Sequence, residues 1–98
     1  MDTKEHKVKK KVVDLLKQHE VYYFFPATHG YGRSGIPDIV CCARGKFLAI
    51  ECKAGTNKPT ALQLREIALI QKAKGYAFVV NEDNIEELHT TIKEILRT

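Results

Sequence analysis

Two apolar runs lie close together in the middle of the chain, Ile36 to Ala43 and Lys46 to Cys52, both rich in Ile, Val, Phe, Leu and Cys. Arg44-Gly45 separates them, and glycine supplies the positive φ that a two-residue turn requires, so a β-hairpin is expected here. Val21 to Pro26, with Tyr22, Tyr23, Phe24 and Phe25, reads as an earlier strand, and Tyr76 to Val80 as a later one. Helical spacing accounts for most of the remainder. Val8, Val12, Leu15, Leu16 and His19 make the stripe of a first helix, opened by Asp2 and Glu5 as a capping box and running to about His19. Thr60-Ala61-Leu62-Gln63 is a second capping-box match, followed by Ile67, Ile70 and Ala73, with Gly75 as the stop. Ile85, Leu88, Ile92, Ile95 and Leu96 define a last helix capped by Asp83 or Asn84, with His89 at its surface. The order α-β-β-β-α-β-α predicts an α/β fold: a mixed sheet flanked by helices, with a right-handed parallel crossover from the strand ending near Lys53 to the one at Tyr76.

A two-residue turn also fixes the register. Ala43 faces Lys46, Cys42 faces Phe47, and by the same count Asp38 faces Glu51. Directly opposed side chains lie roughly 4.5–5.5 Å apart at Cβ, where like charges destabilise the pair. Two facing carboxylates therefore call for a cation or a shared proton. Side chains alternate between faces, so Lys53 joins Asp38 and Glu51 on one patch while Cys52 points away. Two hard oxygen ligands suit Mg²⁺ or Mn²⁺, with water or a substrate phosphate completing the shell. The plainer alternative stays open: Asp38 as a turn residue after Pro37, and Glu51 with Lys53 as a solvated pair on an exposed strand. A one-residue slip of the turn would change every partner.

Pro37-Asp38 followed by Glu51-Cys52-Lys53 resembles the PD-(D/E)XK nuclease signature. The longer pattern, Gly35-x-Pro37-Asp38, Glu51-x-Lys53 and then Gln63 on the next helix, is similar to the VRR-NUC branch of that superfamily, and the resemblance covers nearly all of the chain. It implies a single domain over 1–98 with a restriction-endonuclease-like core, of the standalone kind found in phages. It also implies a Mg²⁺- or Mn²⁺-dependent endonuclease that hydrolyses DNA phosphodiesters. Asp38 and Glu51 would hold the metal, with the backbone carbonyl of Cys52 as a further ligand; Lys53 would position or activate the attacking water. The same resemblance to Holliday-junction resolvases implies branched DNA as substrate, a role in repair, and a homodimer.

Two residues have double readings. Glu5 lies in phase with Val12, only ~20° off alignment over seven residues, so it is either a cap or the first-helix acid that such nucleases carry toward the metal. Gln63 is either the capping-box glutamine or, by the resemblance, a residue of the active site.

The remaining features narrow the function. In 98 residues there is room for one domain with a modest core. No apolar run approaches the roughly 20 residues that span a bilayer, and the Lys-rich start lacks the apolar stretch of a signal peptide, so a cytoplasmic protein is expected, in the host cytoplasm if a phage encodes it. The three cysteines, Cys41, Cys42 and Cys52, form no C-x-x-C pair and read as small buried apolar residues. Gly30-Tyr31-Gly32-Arg33-Ser34-Gly35 satisfies G-x-G-x-x-G, yet Ile36-Pro37 leads into a strand where that fingerprint needs a helix, so no nucleotide cofactor is expected. A net charge of +4 fits a polyanionic partner. Arg33, Ser34 and Tyr31, with His29 beside them, are candidate nucleic-acid contacts, as are Lys10, Lys11 and Lys58. The competing class is a DNA-binding domain of a larger assembly without turnover, against which the facing carboxylates argue, since they repel phosphate. RNA as substrate stays open.

Overall fold

The computed structural model describes residues 3–27 and 32–98. The element order is α1 (Lys4–Gln18), β1 (Tyr22–Phe24), β2 (Ile39–Ala43), β3 (Lys46–Cys52), α2 (Ala61–Lys72), β4 (Tyr76–Val80) and α3 (Ile85–Arg97). The strands form one sheet in the order β1-β2-β3-β4, antiparallel up to β3 and parallel between β3 and β4. The expected α/β architecture is present.

The hairpin sets the frame. Arg44 (φ 49°) and Gly45 (φ 79°) both occupy the left-handed region, as a two-residue turn of this hand demands. The register follows as expected, Ala43 opposite Lys46, Cys42 opposite Phe47 and Ile39 opposite Ile50. Ile39, Cys41, Leu48, Ile50, Cys52 and Val80 face a core filled by Val8, Val12 and Leu16 of α1 and by Leu88, Ile92 and Ile95 of α3. The alternate residues face the other way, toward α2, which packs on β3 and β4.

Several local expectations are corrected. The N-cap of α1 is Thr3, whose hydroxyl accepts from the His6 amide at 3.0 Å; Asp2 lies outside the described residues. One position of shift makes Glu5 the second helical residue, so the capping-box geometry is lost to it. Leu15 is only half-buried, and His19 is the C-cap, its Nε2 2.9 Å from Nε2 of a half-buried His89 on α3. The earlier strand shrinks to three residues because β1 has a partner on one side alone and proline cannot donate to a ladder. Cys41 and Cys52 are buried as expected, but Cys42 is exposed, since period two turns it to the α2 side of the sheet and α2 packs over β3 and β4, beyond β2. At the end of α2, Lys74 (φ 74°) takes the left-handed position expected of Gly75. Asn84 is the N-cap of α3 without capping it; its side chain accepts from Asn81 N at 2.8 Å and donates to the Val79 carbonyl at 2.9 Å, tying the β4–α3 corner together.

Candidate active site

The acid that begins the site stands one residue before β2. Asp38 Oδ2 accepts the Cys52 amide at 2.9 Å, so a side chain continues the hairpin ladder where β2 itself has ended. Glu51 stands on β3 one step past the Ile39–Ile50 pair, close enough for Asp38 to act on its charge. Its side chain is 3% exposed. One oxygen, Oε2, accepts from Gln63 Nε2 at 2.8 Å and lies 3.7 Å from Lys53 Nζ. The other, Oε1, is buried with no hydrogen-bond partner among the described residues.

Gln63 is the capping-box glutamine, and the same side chain also touches Glu51. Its Oε1 accepts from Thr60 N at 2.8 Å while Thr60 Oγ1 accepts from Gln63 N at 3.2 Å, which completes the capping box. The amide's other end donates to Glu51. A carboxamide carries an acceptor and a donor at once, so a single side chain starts α2 and fixes the rotamer of Glu51.

Gly35 makes this approach possible. At φ +86°, a Cβ placed there would stand 2.5 Å from the Leu62 carbonyl oxygen, so the segment entering Asp38 lies directly on the first turn of α2.

The electrostatics follow from burial and crowding. Burial pushes the Glu51 carboxyl up to about 7, and Asp38 and Glu5 push in the same direction while Lys53 opposes them. A buried carboxylate with a bare oxygen, beside a second carboxylate, is a donor set that a hard divalent cation fits: it would supply the missing partner for Oε1 and cancel the repulsion. Among the described residues no three His, Cys, Asp or Glu side chains gather as a metal cage by themselves, so the Cys52 carbonyl, water and substrate oxygens would complete the shell. Glu5, freed from capping, instead reaches 3.9 Å from Lys53 Nζ, leaving the lysine between two acids. Burial pushes the Cys41 and Cys52 thiols up to about 12, which keeps both unreactive.

The other candidates separate. Lys10 lines a groove of about 530 Å³ that also holds Glu5, Asp38 and Cys52. Arg33 and Ser34 line a second groove that reaches Asp38. Lys11 lines a different depression, against Ile85 and Glu86, and Lys58 is exposed on the connector before α2. Tyr31 and His29 lie outside the described residues. Three neighbours went unread in the sequence: Lys9 and Phe25, which line both grooves, and Glu66, which is buried. Glu66 had a readable signal, since it falls three residues after Gln63 and four before Ile70, in phase with the side of α2 that meets the sheet.

No family model matches the chain. Protein p44 of Acyrthosiphon pisum secondary endosymbiont phage 1, whose description gives nuclease as a provisional activity, is 36% identical over 58 residues. That stretch is 58% of this chain and 62% of p44, so less than two thirds of the relative is spanned. A solved VRR_NUC domain superposes with a TM-score of 0.70 at 24% identity, covering 98% of this chain and 97% of that one. A second, a VRR_NUC domain protein, gives 0.73 at 19% identity, with 99% and 91% covered. At those identities the likeness speaks for architecture: this chain has the fold of the VRR_NUC domains, over essentially its whole length.

Proposed function

We propose that the chain is a VRR-NUC-type nuclease that hydrolyses DNA phosphodiester bonds with the help of Mg²⁺ or Mn²⁺. One observation carries the reading: Glu51 is buried with no partner for Oε1 among the described residues, while Asp38 crowds the same carboxyl and Lys53 Nζ stands 3.7 Å from its Oε2. A buried acid with a purely structural part would have both oxygens hydrogen-bonded.

Asp38 and Glu51, with the Cys52 carbonyl, would hold the metal. When bound, it supplies Lewis-acid stabilisation of the phosphoryl oxygens and an acidified water. The protein does the rest. Gln63 locks Glu51 in place, and Asp38 is held by the Cys52 amide. Lys53, mostly buried between Glu51 and Glu5, orients the attacking water and neutralises charge that develops on the phosphate. The segment at Gly35 and the groove with Lys10 lead the strand past these groups.

The finer reading is a branched substrate cut by a homodimer in the cytoplasm. Among the described residues no helix is long and apolar enough to cross a membrane. The half of the sheet that α2 leaves bare, with Tyr22, Phe24 and Phe47 exposed, is the surface a second copy would cover, and two copies would bring two sites to a junction. The test is cleavage of a labelled four-way junction beside linear duplex, with wild type and Lys53→Ala in Mg²⁺, Mn²⁺ and EDTA. Metal-dependent cutting lost in the variant is expected, with preference for the junction. Junction binding by well-folded wild type, without cutting under any condition, would replace this reading with a DNA-binding module. Sedimentation of the wild type checks the dimer.

A further inference from the structure

Among the described residues α2 buries a single side chain fully, and it is an acid. Glu66 is 3% exposed while Leu62, Leu64 and Leu69 on the same helix are 45%, 52% and 48% exposed. A carboxylate taken out of water must be paired. The partner is Arg33, whose Nε donates to Glu66 Oε2 at 2.7 Å, with Arg65 Nη2 more distant at 3.9 Å. Together with the contact of Gly35 on Leu62, this fastens the segment entering Asp38 to α2 at two points.

The fastening leaves Arg33 most of its donors. Among the described residues only Nε is engaged, the side chain is 64% exposed, and a guanidinium carries five N–H groups in a rigid fork. Arg33 and Ser34 line one side of a groove of about 270 Å³ that ends at Asp38. Lys9 and Phe25 line it too, and Lys9 Nζ sits 4.3 Å from the centre of the Phe25 ring, a cation–π contact that restrains the ammonium. Two restrained cations from separate elements thus share a groove whose only acid among the described residues is Asp38 itself.

We propose that Arg33 and Lys9 form a second phosphate subsite beside the Asp38–Glu51 pair, taking the backbone phosphodiester next to the one that is cut, and that buried Glu66 is the positioning residue that aims Arg33 at it. The identity of the polymer rests on the nuclease reading above; the subsite itself can be tested without turnover.

The test is binding of a fluorescent single-stranded oligonucleotide in EDTA across a salt series, after thermal unfolding shows that each variant is folded. Arg33→Gln and Lys9→Gln should each weaken binding about tenfold and lower the slope of log K against log salt by about 0.7, one phosphate apiece. Glu66→Leu is the decisive variant. It removes a negative charge, so charge alone would tighten binding; as the positioning residue it should weaken binding as much as Arg33→Gln, add nothing to that change, and be largely rescued by Glu66→Gln, which keeps an acceptor for Nε. Should Glu66→Leu fail to fold, Glu66→Ala, alone and combined with Arg33→Gln, carries the same test, because it also leaves Nε without an acceptor and the two effects must not add. Tighter or unchanged binding by Glu66→Leu, additivity with Arg33→Gln, or unaltered salt slopes would overturn the proposal. Expected slopes with no cleavage in Mg²⁺ would leave the subsite standing and remove the nuclease reading; cleavage with unaltered slopes would do the reverse.

Discussion

Helices α3 and α2 lie on opposite faces of one sheet and are built on opposite plans. α3 sinks Leu88, Ile92 and Ile95 into the core and keeps Glu86 and Glu87 in its exposed N-terminal turn, where the helix dipole favours them. α2 turns three leucines toward water and buries a glutamate. What fastens α2 is polar and specific: Gln63 on Glu51, Glu66 on Arg33, and its first carbonyls against Gly35. One helix fills the core, and the other carries the contacts to Glu51, Arg33 and Gly35 around the candidate site. Stability and activity should therefore come apart by helix.

The largest expected effect is on the α3 side. Ile92→Ala, at a fully buried position, should lower the unfolding free energy by about 2–5 kcal/mol, read from urea denaturation, while the folded fraction still cleaves at the wild-type rate. A fall in rate out of proportion to the folded fraction would break the division of labour.

On the α2 face a substitution has the opposite sign, and its size depends on pH. The folded chain holds Glu51 protonated up to about pH 7, whereas the unfolded chain ionises it near 4.5. Between those values the folded state binds more protons, so this stabilisation is full below about pH 4.5 and is lost as pH rises through about 7. Metal-free Glu51→Gln should accordingly be more stable than wild type at about pH 8, by roughly 2 kcal/mol, and the gap should close toward acid pH. Added Mg²⁺ should raise the wild-type melting temperature at about pH 8 and leave that of the variant where it was.

Gln63→Glu sharpens the contrast further. The Thr60 cap keeps its acceptor, so α2 still forms by circular dichroism, but the donor to Glu51 is replaced by a second acid. Cleavage should fall by about 10–100-fold. The smallest effect belongs to the outward leucines: Leu64→Ser should shift stability by less than about 0.5 kcal/mol. A larger loss that depends on protein concentration would instead mark a contact between subunits.

The same contrast governs what could be read from sequence. Helix α3 was legible because its apolar spacing and its burial are one pattern. The hairpin was legible because Arg44-Gly45 determines a register by local geometry, and with it the meeting of Asp38 and Glu51. α2 was legible in its start and length, through the capping box, but not in its packing. Ile67 and Ile70 are only half-buried and Ala73 is exposed, while the position that matters is charged and has its partner, Arg33, 33 residues away. Hydrophobic periodicity is blind to a helix anchored by ions. Lys9 was hidden for a related reason, since its value depends on Phe25, a contact between elements that no spacing rule joins.

The two-residue tip at Arg44-Gly45 also limits how such a gene can change length. A single inserted codon there would invert β3 against β2, sending Glu51 and Lys53 into the apolar core and bringing Ile50 and Cys52 out to the site. Two inserted codons would restore the alternation. Descendants of this chain that still act through these groups should therefore vary the tip in steps of two, so the parity of one loop records whether a lineage kept its chemistry.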